Sequence, residues 1–80
     1  MSATEGDFYK GIVNVCESGH KQGAPQFIAN SYADECEALL EEGVIIKLKS
    51  KVISDPNIGV FYTLPMYAEE AMTTYDLEKA

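Results

Sequence analysis

The stretch VIIKLKSKVISDPNIGVFYTLP, Val44–Pro65, decides how the chain is read. Ile46, Leu48, Ser50 and Val52 alternate with Ile45, Lys47, Lys49, Lys51 and Ile53, and this period of two, rich in β-branched residues, predicts a half-buried strand with its lysines on one face. Ser54-Asp55-Pro56-Asn57 has turn composition. Beyond it Val60, Tyr62 and Leu64 alternate with Gly59, Phe61 and Thr63, a second strand. The two runs predict an antiparallel hairpin. Lys47, Lys49 and Lys51 are half of the six basic residues and a candidate phosphate-contacting set.

The segments around the hairpin read as helices. Upstream, APQFIANSYADECEALLEEG spans 24–43, with Pro25 suited to a first helical turn and Gly43 to a helix end. Ile28, Tyr32, Cys36 and Leu39 share one stripe, which fits a single helix. Asn30 and Ser31 are good caps, and Asp34 follows Ser31 at capping-box spacing, which fits two helices. The capping pattern favours the break. Cys36, Leu39 and Leu40 then face inward with Tyr32, and Asp34, Glu35, Glu37, Glu41 and Glu42 face water, the first four of them as a candidate acidic partner face. Further upstream, Phe8, Ile12, Val15 and Cys16 mark a helix over 8–18, capped by Asp7 and stopped at Gly19, with 1–6 expected to be flexible. Downstream, Pro65 opens a helix over 66–79, in which Tyr67, Ala68, Ala71, Met72 and Tyr75 form one side. Tyr67, Ala71, Met72 and Tyr75 are candidate interface residues, since tyrosine and methionine are enriched where proteins meet.

The totals bound the rest. Eighty residues make one domain, and 46% apolar against 24% charged residues is ordinary globular usage. The net charge is −7 and arginine is absent, which disfavours sequence-specific DNA reading and leaves lysine for any phosphate contact. Cys16 and Cys36 lie on apolar stripes outside any metal-ligand spacing, as expected of reduced core thiols in a cytoplasmic protein, or in a viral protein inside its host cell. His20, the one histidine, falls in the loop GHKQGAP with no second ligand near it in sequence. No nucleophile elbow, phosphate loop or zinc signature is present, so neither an enzyme, a cofactor nor a small-molecule site is expected. No apolar run reaches membrane-spanning length, and the first residues lack the pattern of a signal peptide.

The α+β order of helices, hairpin and C-terminal helix is similar to that of winged-helix domains. The likeness lies in Leu39, Leu40, Glu42, Gly43, Val44 and Ile45, followed by Tyr62, Thr63 and Leu64, within Leu39–Tyr75. The resemblance implies that 32–42 corresponds to a recognition helix, 47–57 to a wing, and 66–79 to an added helix that makes dimers. Five acids and no base stand on the recognition-helix equivalent. Each close approach of a carboxylate to a phosphate costs about 1–4 kcal/mol. The reading that follows is a non-enzymatic module working through protein contacts, as a homodimer or complex subunit. The alternatives are a DNA-binding regulator using the lysine hairpin as its wing, and an acidic viral or phage inhibitor of a nucleic-acid-binding protein.

Overall fold

The structure is a computed structural model describing residues 2–80. Helix α1 covers Ala3–Glu17, starting five residues earlier than the apolar stripe predicts. The reason is local: the Ser2 hydroxyl accepts from the Glu5 N–H at 3.2 Å, so Ser2 rather than Asp7 is the cap. Ala3–Gly6, expected to be flexible, are therefore helical. The end falls where Gly19 placed it. The His20 N–H reaches the Val15 carbonyl at 3.1 Å and the Gly19 N–H the Cys16 carbonyl at 3.2 Å, the two bonds that close a helix through a left-handed residue.

A short strand β1, Ala24–Pro25, follows. Pro25 belongs to this strand and stands at the N-cap position of the next helix rather than in its first turn. The break in the middle helix is real. Helix α2 covers Gln26–Ala29, a 3-10 turn covers Asn30–Tyr32, and α3 covers Ala33–Glu42. The expected capping box does not form, because Tyr32 holds the N-cap position of α3 and makes no side-chain cap bond. Asn30 instead accepts from the Gln26 amide at 2.8 Å and donates to the Asn57 side chain at 3.3 Å.

The hairpin forms with shorter strands and a longer connection. Strand β2 is Ile46–Ser50. It stops there because the Ser50 hydroxyl turns back to accept from the N–H groups of Val52 and Ile53, at 3.0 and 2.8 Å. The turn expected at 54–57 is part of a one-turn helix α4, Pro56–Gly59, capped by the Asp55 carboxylate at 2.9 Å from the Asn57 N–H. Strand β3 is Val60–Thr63. Helix α5, Pro65–Tyr75, ends at Asp76, which adopts a left-handed conformation with φ 58°. The residues expected to continue this helix, Leu77–Lys79, form strand β4 on the free side of β2. Lys51 N–H to Asp76 C=O and Ala80 N–H to Lys47 C=O extend that ladder, so sheet hydrogen bonds outweigh the helical stripe there.

The sheet has four strands in the order β1-β3-β2-β4, with every neighbour antiparallel, and the architecture is α+β. Two apolar clusters hold it together. The larger joins Phe8, Ile12 and Cys16 of α1 to Leu39 of α3, Ile45 and Leu64. The smaller consists of Leu48, Ala71 and Leu77, with Phe61 and Met72 packed against it, and fixes α5 and β4 to the sheet. Thr63 is fully buried, and its hydroxyl donates to the Lys21 carbonyl at 2.6 Å. That hydrogen is then spent, so the Cys16 thiol, 3.2 Å from Thr63 Oγ1, is the donor in the second bond. Both cysteines are free and buried, as their stripes predict. No helix among the described residues is long and apolar enough to cross a membrane.

Candidate interaction surface

The strand register splits the lysine comb. Lys47 stands beside Tyr62, and Lys49 stands between Val60 and Glu78, on one face of the sheet. Lys51 lies past the end of β2, in the loop the Ser50 hydroxyl turns. The Lys49 ammonium sits 3.9 Å from the Glu78 carboxylate, with both side chains about half exposed, a geometry worth less than about 1 kcal/mol. The set expected to meet phosphates thus shares one of its charges with a neighbouring acid.

On α3, Asp34, Glu37, Glu41 and Glu42 are exposed and Glu35 is half-buried, while Cys36 and Leu39 are buried. The acidic face is where the pattern put it. Tyr32 does not enter the core. It lies exposed, stacked on Phe8 with ring centroids 5.1 Å apart and planes 17° apart.

The candidate interface on α5 is corrected by the packing. Ala71 is fully buried between Leu48 and Leu77, so no partner can touch it. Met72 is half-buried against the same cluster. Tyr67 is half-buried and lies under the Lys21 ammonium, 4.3 Å from its ring centroid. Only Tyr75 of the four is exposed. The stripe was read correctly as apolar, but the fold uses most of it to hold the sheet.

Among the described residues, Met66 and Tyr75 are the large apolar side chains left exposed on α5, and six more lie elsewhere. Phe27, Ile28 and Tyr32 stand open on α2 and the turn after it, and Val52, Ile53 and Ile58 on the connection between β2 and β3. Val52 keeps 75% of its surface, Phe27 53% and Ile58 52%, so each leaves half or more of its surface open. The two groups are adjacent, because α2 packs against α4 and the Asn30–Asn57 bond ties them. Beside α2 a groove of about 310 Å3 opens, with Phe8, Gly11 and Val15 of α1 on one wall and Pro25, Ile28 and Tyr32 on the other. Asp7 is the one charged residue that lines it. Sequence reading missed this surface. Its only signals were Gly11 inside a helical pattern and an Ile28 that the stripe assigned to the interior.

A second, smaller cavity of about 150 Å3 lies among Gln26, Cys36, Leu40 and Tyr62. The Tyr62 hydroxyl donates to Gln26 Oε1 at 2.6 Å. Burial pushes the Cys36 thiol above its ordinary value of 9.0, opposed in part by the Tyr62 hydroxyl and the Lys47 charge. Burial, then the neighbouring Cys36, likewise raises Tyr62 above 10.0. A thiol held neutral is a poor nucleophile. The consequence is on stability. Below about pH 7.5 both groups are neutral in the folded and unfolded chains, and their contribution is fully present. As pH rises past the ordinary values, the unfolded chain ionises first, and stability is lost through the raised folded values. Thermal melts are therefore expected to hold steady to about pH 7.5 and to fall as pH rises beyond it. Cys36→Ala should make that decline shallower, and an unchanged alkaline slope would refute the assignment.

Among the described residues, no three histidine, cysteine, aspartate or glutamate side chains are grouped so as to hold a metal ion. Comparison with known proteins finds no matching family model, no significantly similar curated protein and no significantly similar solved structure.

Proposed function

We propose that this chain is a non-enzymatic, winged-helix-like interaction module that works through protein–protein contacts, as a homodimer or as a subunit of a complex. The observation that carries the reading is the exposed apolar set Phe27, Ile28, Tyr32, Val52, Ile53 and Ile58. Interfaces concentrate aromatic and apolar side chains at their centres and exclude charge from them. An 80-residue chain with a small interior also gains stability from association.

The DNA-binding alternative draws on Lys47 and Lys51, which are exposed and have no acid within salt-bridge distance among the described residues. Against it stand the net charge of −7 and the exposed acids of α3. Two measurements on the purified chain separate the readings. Sedimentation equilibrium is expected to show association, either with itself or with a co-purified protein, that Phe27→Ser with Ile58→Ser removes while circular dichroism keeps the helical signal. Titration with duplex DNA at low salt is expected to show no binding. Salt-sensitive binding with a log–log slope of about −2.7, lost when Lys47, Lys49 and Lys51 become glutamine, would replace this reading with the regulator.

A further inference from the structure

We infer that the partner on this surface is a second copy of the chain, and that each copy seats its β2–β3 loop in the other's α1–α2 groove. The inference rests on the protein-contact reading above and specifies its partner and geometry.

Four observations converge on it. The groove is apolar with a single carboxylate, Asp7, among its lining residues, so its best occupant is an apolar segment carrying a positive charge. The loop supplies that chemistry. Lys51, Val52 and Ile53 are consecutive and all exposed, and they belong to the stretch holding half of the basic residues in a chain of net charge −7. Lys51 at the head of this apolar tip, set against Asp7 in the groove, is a charge-complementary contact within one sequence.

The third observation is Gly11. Glycine in a helix interior costs about 0.5–1 kcal/mol relative to alanine. Nothing in the chain requires it, since a Cβ at this position would meet no atom within 4 Å. Gly11 lines the groove, and the missing side chain leaves the helix backbone open to close approach from outside.

The fourth is placement. Helix α2 stands between the two elements, lining the groove with Ile28 and packing against α4 on the loop side. A groove and its complementary tip on either side of one short helix allow a two-fold axis near that helix. Both contacts then form at once and the assembly closes as a dimer instead of running on as a filament. Phe27, exposed on α2, would lie near the axis and meet its counterpart.

The test is charge exchange, read by sedimentation equilibrium and light scattering over a concentration series. Asp7 and Lys51 are both exposed, so neither substitution disturbs the core. The wild-type chain is expected to be a dimer. Asp7→Lys and Lys51→Glu should each raise the dimer dissociation constant at least about tenfold, or about 1.4 kcal/mol. The double variant Asp7→Lys with Lys51→Glu should return it to within a few-fold of wild type. Gly11→Leu should also dissociate the dimer while raising the melting temperature of the monomer, because it fills the groove and favours the helix. A dimer indifferent to all of these changes, or a double variant no tighter than the weaker single one, overturns the inference but leaves the protein-contact function standing through another face. A chain monomeric up to millimolar concentration overturns it as well. The broader reading then fails as well if no protein co-purifies with the monomer, or if the DNA titration shows the salt-sensitive binding described above.

Discussion

Gly23→Ala is expected to be the most damaging single-methyl change in this protein. Gly23 has φ +78°, and a Cβ there would lie 2.0 Å from the Tyr62 carbonyl oxygen and 2.8 Å from the Thr63 Cα. The obstruction is backbone, so no side chain can rotate away. Two penalties combine: a left-handed conformation for a residue with a Cβ, about 1–2 kcal/mol, and the retreat of β1 from β3. That retreat threatens the pairing of Ala24 with Tyr62 and loosens the loop whose Lys21 carbonyl accepts from Thr63. A total of about 3–5 kcal/mol is expected. A domain of this size has about 4–12 kcal/mol in hand, so the variant should melt well below wild type or be unfolded at 25 °C. Urea denaturation of both chains checks it. A loss under about 1 kcal/mol would mean that the loop does not press on β3 as described.

Leu48→Ala is the second. Leu48 is fully buried at the centre of β2, in one cluster with Ala71 of α5 and Leu77 of β4. A cluster this small has little material with which to fill the vacated space. The cost should sit in the usual range for leucine truncation, about 2–5 kcal/mol. It should also be uneven. The C-terminal elements are expected to lose amide-exchange protection first, with Leu77–Lys79 exchanging freely while α1 and α3 stay protected. Equal loss across the chain would contradict the division into two clusters.

How much of this was legible depends on whether the deciding interaction is local. The hairpin was, because alternation along Ile46–Ser50 and Val60–Thr63 is written in consecutive residues. The helix ends at Gly19 and Gly43 were legible for the same reason. The early start of α1 was available and overlooked: Ser2 and Glu5 have capping-box spacing. The helix α4 was also signalled, by Asp55 before Pro56, but the same residues make a turn and only the longer connection separates the two. Strand β4 was not legible. Leu77 extends the α5 stripe as well as it starts a strand, and the choice is made by the unpaired side of β2. Asp76 tolerates the left-handed residue between them better than most side chains. Within the candidate interface, Ala71 was misplaced on similar ground. A tyrosine-methionine stripe looks alike whether it meets its own sheet or another molecule. The groove arises only when α1 and α2 are brought together, and no window of sequence contains both walls.

Strand β4 also settles how this sheet behaves towards its own kind. It is an edge, with a row of backbone groups facing outward beyond Leu77–Lys79. Two copies joining edge to edge across a two-fold axis must place a residue opposite its own twin. Of the three registers centred on this short strand, two oppose like charges, Glu78 against Glu78 or Lys79 against Lys79, and the third opposes Leu77, whose side chain is already buried in its own core. Like charges directly across a ladder repel. The far edge is only two residues long, and one of them, Pro25, has no N–H to offer. The sheet therefore resists growing into a ribbon at either end, and the acidic chain should stay dispersed at concentrations where a neutral edge would seed fibrils.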